Sequence, residues 1–496
     1  MLGAASVLLV REARVDPKLR ELQRVVAGPV FLPSSAAYAT ERLEYNARFD
    51  QHPLAVVRAR NARDVQAVVR WGLKHDVRVI PRSGGHSYAG YSSGSGVVVD
   101  LGALTGVHRD GGTAVIGPGT RLINVYAQLA GHGLTIPAGS CPTVALGGGV
   151  GLASRKFGTT SDNVVSMVVV IGDGTLRQVN AHSNPDLFWA LRGSGGRNFG
   201  IVTSFRLRTR HVGAGSHFVK SFPWSSAADV VPEWQRWAPH APPELFSICS
   251  LGAGTFQVFG QYLGSESRLR AALPPFLAGA TTGSASYLDL TKRWAGCLSE
   301  SVPACAVVHR TAFAAKSDYV AKPFSAAAVA TMKTWLGQGL GTLLMDSYGG
   351  AIRHGTGSFG HRDALCSLQY YTSWSGNGSA QLAWLRGFHA AMRPHVTGGA
   401  YVNYIDPELT DWRHAYYGPR LARLVAVRKR YDPHRVFRFK QGIEPGASVS
   451  GNVPGTRARR RSRVCRRSWC SPAGWPLRRS GPVRRSTMTV TFGLSL

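Results

Sequence analysis

The sequence predicts an α+β chain whose first part is built on glycine-rich turns and whose second part is an antiparallel sheet under helices. Three observations carry this. Glycine-rich loops alternate with short Val/Ile runs up to about residue 210, a grammar that by itself suits an α/β or an α+β architecture. The segment VVRARNARDVQAVVRWGLKHDVRV, Val56 to Val79, reads as strand, helix, strand. From His211 to about Gly399 the segments lengthen and lose glycine, as in FQVFGQYLG and LCSLQYYTSW, which suits an antiparallel sheet covered by helices. At 496 residues the chain can bury a large core, and its length suggests two or three domains.

Taken in order, Val65, Val68, Val69 and Leu73 recur at helical spacing behind Asp64, the expected cap of the first helix. The strand Val77–Ile80 runs into a loop, PRSGGHSYAGYS. Val97, Val98, Val99 and Leu101, then Thr113 to Ile116, are expected to continue a sheet, with a helix from Leu122 to His132 above it. Residues 30–210 thus form one module of two small lobes, and 211–399 form a second domain. Residues 400–445, with YVNYIDPEL, an Arg- and Ala-rich helix and YDPHRVF, are a closing segment. Residues 446–496 are a basic tail, read as disordered or as an out-of-frame terminus, because eleven Arg occur there without Asp or Glu.

The formal net charge is +31, and 31 minus the eleven tail arginines leaves +20 on the body. That field attracts anions, but no recognition helix, RNP or zinc-finger pattern accompanies it, so a nucleic-acid-binding protein is a rival reading resting on charge alone. The apolar start LGAASVLLV lacks a basic flank and a cleavage site, and no apolar run is long enough to span a bilayer, so a soluble protein is expected, cytoplasmic or secreted. Seven cysteines are too few for a disulfide framework; Cys297 and Cys305 suit either a bridge or two thiols, and Cys249 and Cys366 suit a core. No CxxC or HExxH spacing supports a metal.

The chemistry concentrates between Pro81 and Cys141. Gly84, Gly85 and Gly90 permit positive φ and close backbone approach, an anion cradle, and the loop holds His86. AGSCPTV follows with Cys141. Imidazole and thiol are both nucleophiles able to bond covalently to a flavin. Their bland alternatives are a structural turn and a buried small hydrophobe. Next come LGGGVG (Leu146–Gly151), SRKFG, DNV, and a second glycine cluster, LRGSGGRNFGIVT (Leu191–Thr203), then YVNYIDPEL, YYG and YDPHRVFRFKQGI.

This ordered set resembles the berberine bridge enzyme-like branch of the FAD-linked oxidases, which share the vanillyl-alcohol oxidase fold, over roughly residues 30 to 443. The resemblance implies a two-lobed FAD-binding module and FAD attached through His86 to the 8α-methyl carbon and through Cys141 to flavin C6. The alternatives are attachment at His86 alone or no covalent bond. It implies cofactor contacts from Arg82, Ser83, Gly84, Gly85, Ser87 and Gly90 in the first loop. Gly147, Gly148 and Gly151, then Gly196, Gly200 and Ile201, and finally Asn403 complete the set. One departure stands out: only Ala145 and Leu146 join Val144 to Gly147, shorter than the family's loop, which is expected to shift Cys141 or remove backbone contacts.

The resemblance further implies oxidation of an alcohol or hemiacetal carbon of a sugar or secondary metabolite, with O2 as acceptor giving H2O2. A flavin dehydrogenase or oxidative cyclase is the enzymatic rival. Tyr404 is the expected base, its phenol made more acidic by a cationic or flavin neighbour. Strand alternation would put Tyr401 and Asn403 on one face and Tyr404 on the other, unless the segment bends there. Gln369 and Tyr371 of SLQYYTSW are expected over the flavin's open side, and His361 and Arg362 are expected to be structural.

Overall fold

The computed structural model describes residues 16–145 and 149–444. The tail and the amino-terminal apolar run lie outside the described residues, as do Leu146, Gly147 and Gly148.

The first lobe is a four-stranded sheet in which Ala55–Arg58, Val97–Asp100 and Val79–Arg82 run parallel and Val30–Phe31 closes the edge antiparallel. Val56, Val57, Val97, Val98 and Val99 are fully buried, as a sheet covered on both faces requires. The helix Ala62–Lys74 lies on it through Val65, Val68 and Val69. Its cap is not Asp64. Asn61 is the extended N-cap residue, and its Oδ1 accepts from Arg63 N and Asp64 N. Asp64 stands one turn in, where its carboxylate accepts from Ala27 N and Arg60 N and ties the preceding chain to the helix start.

The second lobe is a five-stranded antiparallel sheet in the order Val107–Asp110, Thr113–Ile116, Ile201–Arg208, Val164–Val170, Leu176–Asn180. Thr113–Ile116 therefore does not continue the sheet of Val97. It pairs with Val107–Asp110 and Ile201–Arg208, because the intervening turn lets it fold back as a hairpin. The helix Leu122–Ala130 covers this sheet through Leu122, Val125, Tyr126 and Leu129.

The third sheet has seven antiparallel strands, Thr281–Ala285, Gly215–Pro223, Thr255–Tyr262, Leu245–Leu251, Thr342–Ser347, Cys366–Trp374 and Ala312–Val320. Alternation gives its two faces different duties. Phe218, Phe256, Val258, Cys249, Met345, Leu368 and Tyr370 face a core shared with Trp234, Met332, Trp384 and Phe388 of three covering helices. On the opposite face, Ile248 and Phe259 share an apolar cluster with Leu344 and with Leu152 of the first module. Asp346 is in register with Ile248 and Ser367, and Leu344 with Gln369.

Residues 400–444 run back over the first module. Trp412, Tyr416, Leu424 and Tyr431 join the second-lobe core, and Val436 and Phe437 join that of the first lobe. Two arginines fasten the third sheet to the module. Arg155, buried without a carboxylate, donates to the carbonyls of Pro239, Ala241 and Tyr348, among others. Arg362 forms a two-armed pair with Asp162 at 2.8 and 3.0 Å. Cys297 and Cys305 form a disulfide (Cα–Cα 5.6 Å), and Cys249 and Cys366 are buried in the core.

Candidate active site

A cavity of ≈ 360 Å³ opens at the carboxyl ends of the parallel strands, bounded by both lobes and the returning segment. Ser83, Gly84, Gly85, His86 and Ser87 form one wall; Gly196, Gly200 and Ile201 form another, and Asn403 a third. Glycine is required for space as well as for φ. Gly85 and Gly195 sit at φ +73° and +74°. A Cβ on Gly84 would meet Ala145 N at 2.7 Å, and at Gly196 it would meet nothing within 4 Å, since that backbone faces open space.

Three residues expected at the cofactor do other work. The Arg82 guanidinium pairs with Asp100 at 2.7 Å and donates to the carbonyls of Glu41 and Leu43, so it fixes the loop's base and does not line the cavity. Gly90, at φ +72°, leaves room for the Phe49 ring, and Gly151 lies where a Cβ would strike Ala138 O. Gly147 and Gly148 are outside the described residues.

His86 stacks on Tyr45, ring centroids 4.0 Å apart, and its Nε2 is 3.1 Å from Thr143 Oγ1. Burial, helped by the positive charge of Arg121, lowers the imidazole to about 4, so the ring is neutral near pH 7. Thr143 Oγ1 also lies 3.8 Å from Cys141 Sγ, which places one hydroxyl between the two nucleophiles. Burial pushes the Cys141 thiol up. Thr143 was legible as part of CPTV, whereas Tyr45, forty-one positions before His86, carries no local signal.

From Tyr45 a series of rings crosses to the third sheet: Phe313, Tyr88, then Tyr404, which stacks on Tyr88 at 5.3 Å. Gln369 Nε2 donates to Tyr88 Oη at 3.0 Å, and its Oε1 is buried without a partner. Tyr371 stacks on Phe313 at 5.7 Å, its phenol pushed up to about 12 chiefly by burial. Asp346, absent from the sequence analysis, shares the sheet face of Gln369; Tyr88, Cys141, Asp346, Gln369, Tyr371 and Tyr404 are not among the residues lining the cavity. Burial lifts the Asp346 carboxyl to about 7, against a smaller lowering by Ser367, and its charge acts on Tyr404.

Two expectations about Tyr404 are corrected. Val402–Tyr404 is a 3-10 turn and not a strand, so Tyr401 and Asn403 are joined directly, with Asn403 Nδ2 donating to Tyr401 Oη at 2.9 Å. Burial, with the neighbouring Asp346 carboxylate and phenols, raises the Tyr404 phenol well above its ordinary range, because the groups around it are acidic and not cationic. His361 and Arg362 are structural: His361 Nε2 meets Ala415 O at 2.8 Å, and Arg362 holds Asp162. Among the described residues no cluster could hold a metal ion, and no helix is long and apolar enough to cross a membrane.

A family model described as FAD binding domain matches residues 53–180, and one described as Berberine and berberine like matches 400–444. The berberine bridge enzyme-like Cyn d 4 of Cynodon dactylon is 31% identical, covering 84% of this chain and 90% of its own. A chitooligosaccharide oxidase of Gibberella zeae is 29% identical, covering 84% and 93%. The solved structure of Physcomitrella patens BBE-like 1 superposes with a TM-score of 0.81 at 31% identity, covering 87% of this chain and 99% of that one. Fold and site thus define an FAD-linked oxidoreductase of the two-lobed type with an α+β architecture. The chain belongs to the berberine bridge enzyme-like family, and FAD is its cofactor. The cavity fits FAD: glycine backbone lines its walls, and Arg197, buried on its lining, has no carboxylate partner among the described residues.

Proposed function

We propose that this protein oxidises a CH–OH carbon, alcohol or hemiacetal, of a sugar, with O2 as acceptor giving H2O2. The observation that carries the proposal is the gathering of Gln369, Tyr88, Tyr404 and Asp346 at one face of the third sheet, linked ring by ring to His86. The chitooligosaccharide oxidase among its relatives supports a sugar substrate. Bound FAD would supply the two-electron chemistry, a hydride acceptor for the substrate carbon with O2 as the proposed oxidant.

His86, neutral near pH 7, keeps a ring lone pair for the bond to the flavin 8α carbon. Cys141, once it sheds its proton, supplies sulfur for the bond to C6. Ser83, Gly84, Gly85, Ser87, Gly196, Gly200, Ile201 and Asn403 line the space for the cofactor. Gln369 Oε1, buried and without a partner among the described residues, accepts from a substrate hydroxyl. Tyr404 is a neutral phenol, so its Oη takes the proton of the reacting hydroxyl as its own proton passes to the Asp346 carboxylate, which is ionised above about pH 7. Tyr371 is the alternative acceptor. The domain division at 210, 399 and 445 is part of the same proposal, with 211–399 supplying the substrate wall.

The test is anaerobic mixing of the FAD-loaded full chain with chito-, xylo- and cello-oligosaccharides. Bleaching of the flavin absorbance, followed on admitting O2 by recovery and one H2O2 per turnover, is the expected result. Bleaching that O2 does not reverse assigns a dehydrogenase. No bleaching by any oligosaccharide or simple alcohol overturns the proposal.

A further inference from the structure

The second glycine cluster contains a residue that its surroundings do not explain. Arg197 sits at φ +69°, a left-handed conformation that L side chains rarely adopt, between Gly196 and Asn198. Its side chain is buried, with 9% of the residue exposed, and it lines the cavity. Among the described residues it has no ion-pair partner. Nη1 donates to Tyr91 O at 2.7 Å, Nη2 donates to Arg438 O at 3.2 Å, and the guanidinium lies 5.2 Å from the centre of the Phe439 ring. Nε is buried with no partner.

A buried cation is costly unless hydrogen bonds or an opposite charge complete it; carbonyls do so at Arg155, whereas Arg197 keeps a buried Nε that none of the described residues meets. The charged groups around it do not supply that opposite charge. Arg78 and Arg428 repel it, Arg428 is already paired with Asp432, and Glu44 is itself lifted to about 7 by burial. Desolvation, with Arg78 next, lowers Arg197 to about 9, against smaller raising by Tyr91 and Glu44. Arg197 itself is on the cavity lining. Gly196 brings unobstructed backbone to the same wall, a setting in which N–H groups and a guanidinium can converge on an anion.

We infer that Arg197 is the counter-charge for the pyrophosphate of FAD, a cation stored at the cavity wall that only a phosphate-bearing ligand completes. The inference rests on FAD as cofactor and on no assumption about substrate or covalent bonds. It makes the left-handed arginine a binding device. A residue that merely fills space there would stabilise the chain whether or not a phosphate were bound.

The test uses the full chain carrying His86→Ala and Cys141→Ala, stripped of FAD, and titrates it calorimetrically with ADP and with adenosine. Adding Arg197→Gly, which relieves the backbone and removes the charge, is expected to weaken ADP by about 10- to 100-fold, as loss of a charge-assisted contact does. Adenosine affinity should stay within about twofold, and the melting temperature of the ligand-free chain should be unchanged or higher. Arg197→Lys should keep part of the ADP affinity. Unchanged ADP affinity, equal weakening of ADP and adenosine, or a lower ligand-free melting temperature overturns the inference. If the stripped background does not fold, Arg197→Gly in the otherwise native chain is titrated with limiting FAD during refolding. Reduced flavin loading, read by intact mass, supports the assignment, and undiminished loading contradicts it.

Discussion

The two sides of the cleft are built by different means. The cofactor side is made mostly of backbone, from turns in which glycine is needed for φ at Gly85 and Gly195 or for space at Gly84. The side proposed for substrate is made of side chains, Asp346, Gln369 and Tyr371 on one face of the third sheet, with Tyr88 and Tyr404 stacked beside them. Backbone cradles tolerate little change in sequence because a Cβ obstructs them. A sheet face can exchange one polar side chain for another without changing the fold. The cofactor side therefore fixes which chemistry is done, and the substrate side fixes on what.

The largest expected effect separates attachment from catalysis on the cofactor side. Intact mass of the native chain should show one flavin adduct; His86→Ala and Cys141→Ala should each retain it, and the double variant should release all FAD on denaturation. An unmodified native chain, expressed with ample FAD, contradicts both bonds. Loss of the adduct in His86→Ala alone limits attachment to that residue, as a Cys141 displaced by its shortened loop would require.

The next effect compares two carboxyls that burial lifts to about 7, Glu44 in the first module and Asp346 on the third sheet. Each folded-state pKa lies above the ordinary value, 4.5 or 3.8, so the folded chain holds a proton that the unfolded chain has released across that interval. Stability consequently falls as pH rises from about 4 to 7. Glu44→Gln and Asp346→Asn should each flatten that fall in denaturant titrations. Only Asp346→Asn should also remove the rise in flavin-reduction rate with pH through about 7. A rise that survives Asp346→Asn places the titrating group elsewhere.

A smaller effect is expected at Gly195, where an added Cβ would lie 2.8 Å from Val402 and the backbone is left-handed. Gly195→Ala should cost roughly 1–3 kcal/mol of stability by denaturant unfolding and lower FAD loading. Removing residues 446–496 should change neither FAD content nor turnover, since the family match ends at residue 444 and the composition turns Arg-rich without Asp or Glu beyond it.

These differences explain what could be read from the sequence. Glycine turns announce themselves locally, so SGGH, GSCPTV and the GSGGRNFG cluster pointed to the cavity. The same local reading over-assigned Gly90 and Gly151, whose missing side chains make room for Phe49 and Ala138, and Arg82, whose charge is spent on Asp100. Asp346 was invisible because nothing near MDSYGG reveals that strand pairing brings it opposite Ser367, one row from Gln369. The strand expected at Tyr401–Tyr404 failed because a 3-10 turn brings Asn403 back to Tyr401, a tertiary choice that alternation cannot encode.

The central claim is that the cofactor side holds FAD while Tyr404, on the substrate side, accepts the proton. Tyr404→Phe removes one phenolic oxygen and leaves the ring stacked on Tyr88. Anaerobic stopped flow with a sugar that reduces the native protein is the direct measurement. The account predicts unchanged FAD content and flavin reduction slowed by roughly 100- to 10,000-fold. Reduction as fast as in the native protein contradicts it and transfers the role to Tyr371 or Asp346.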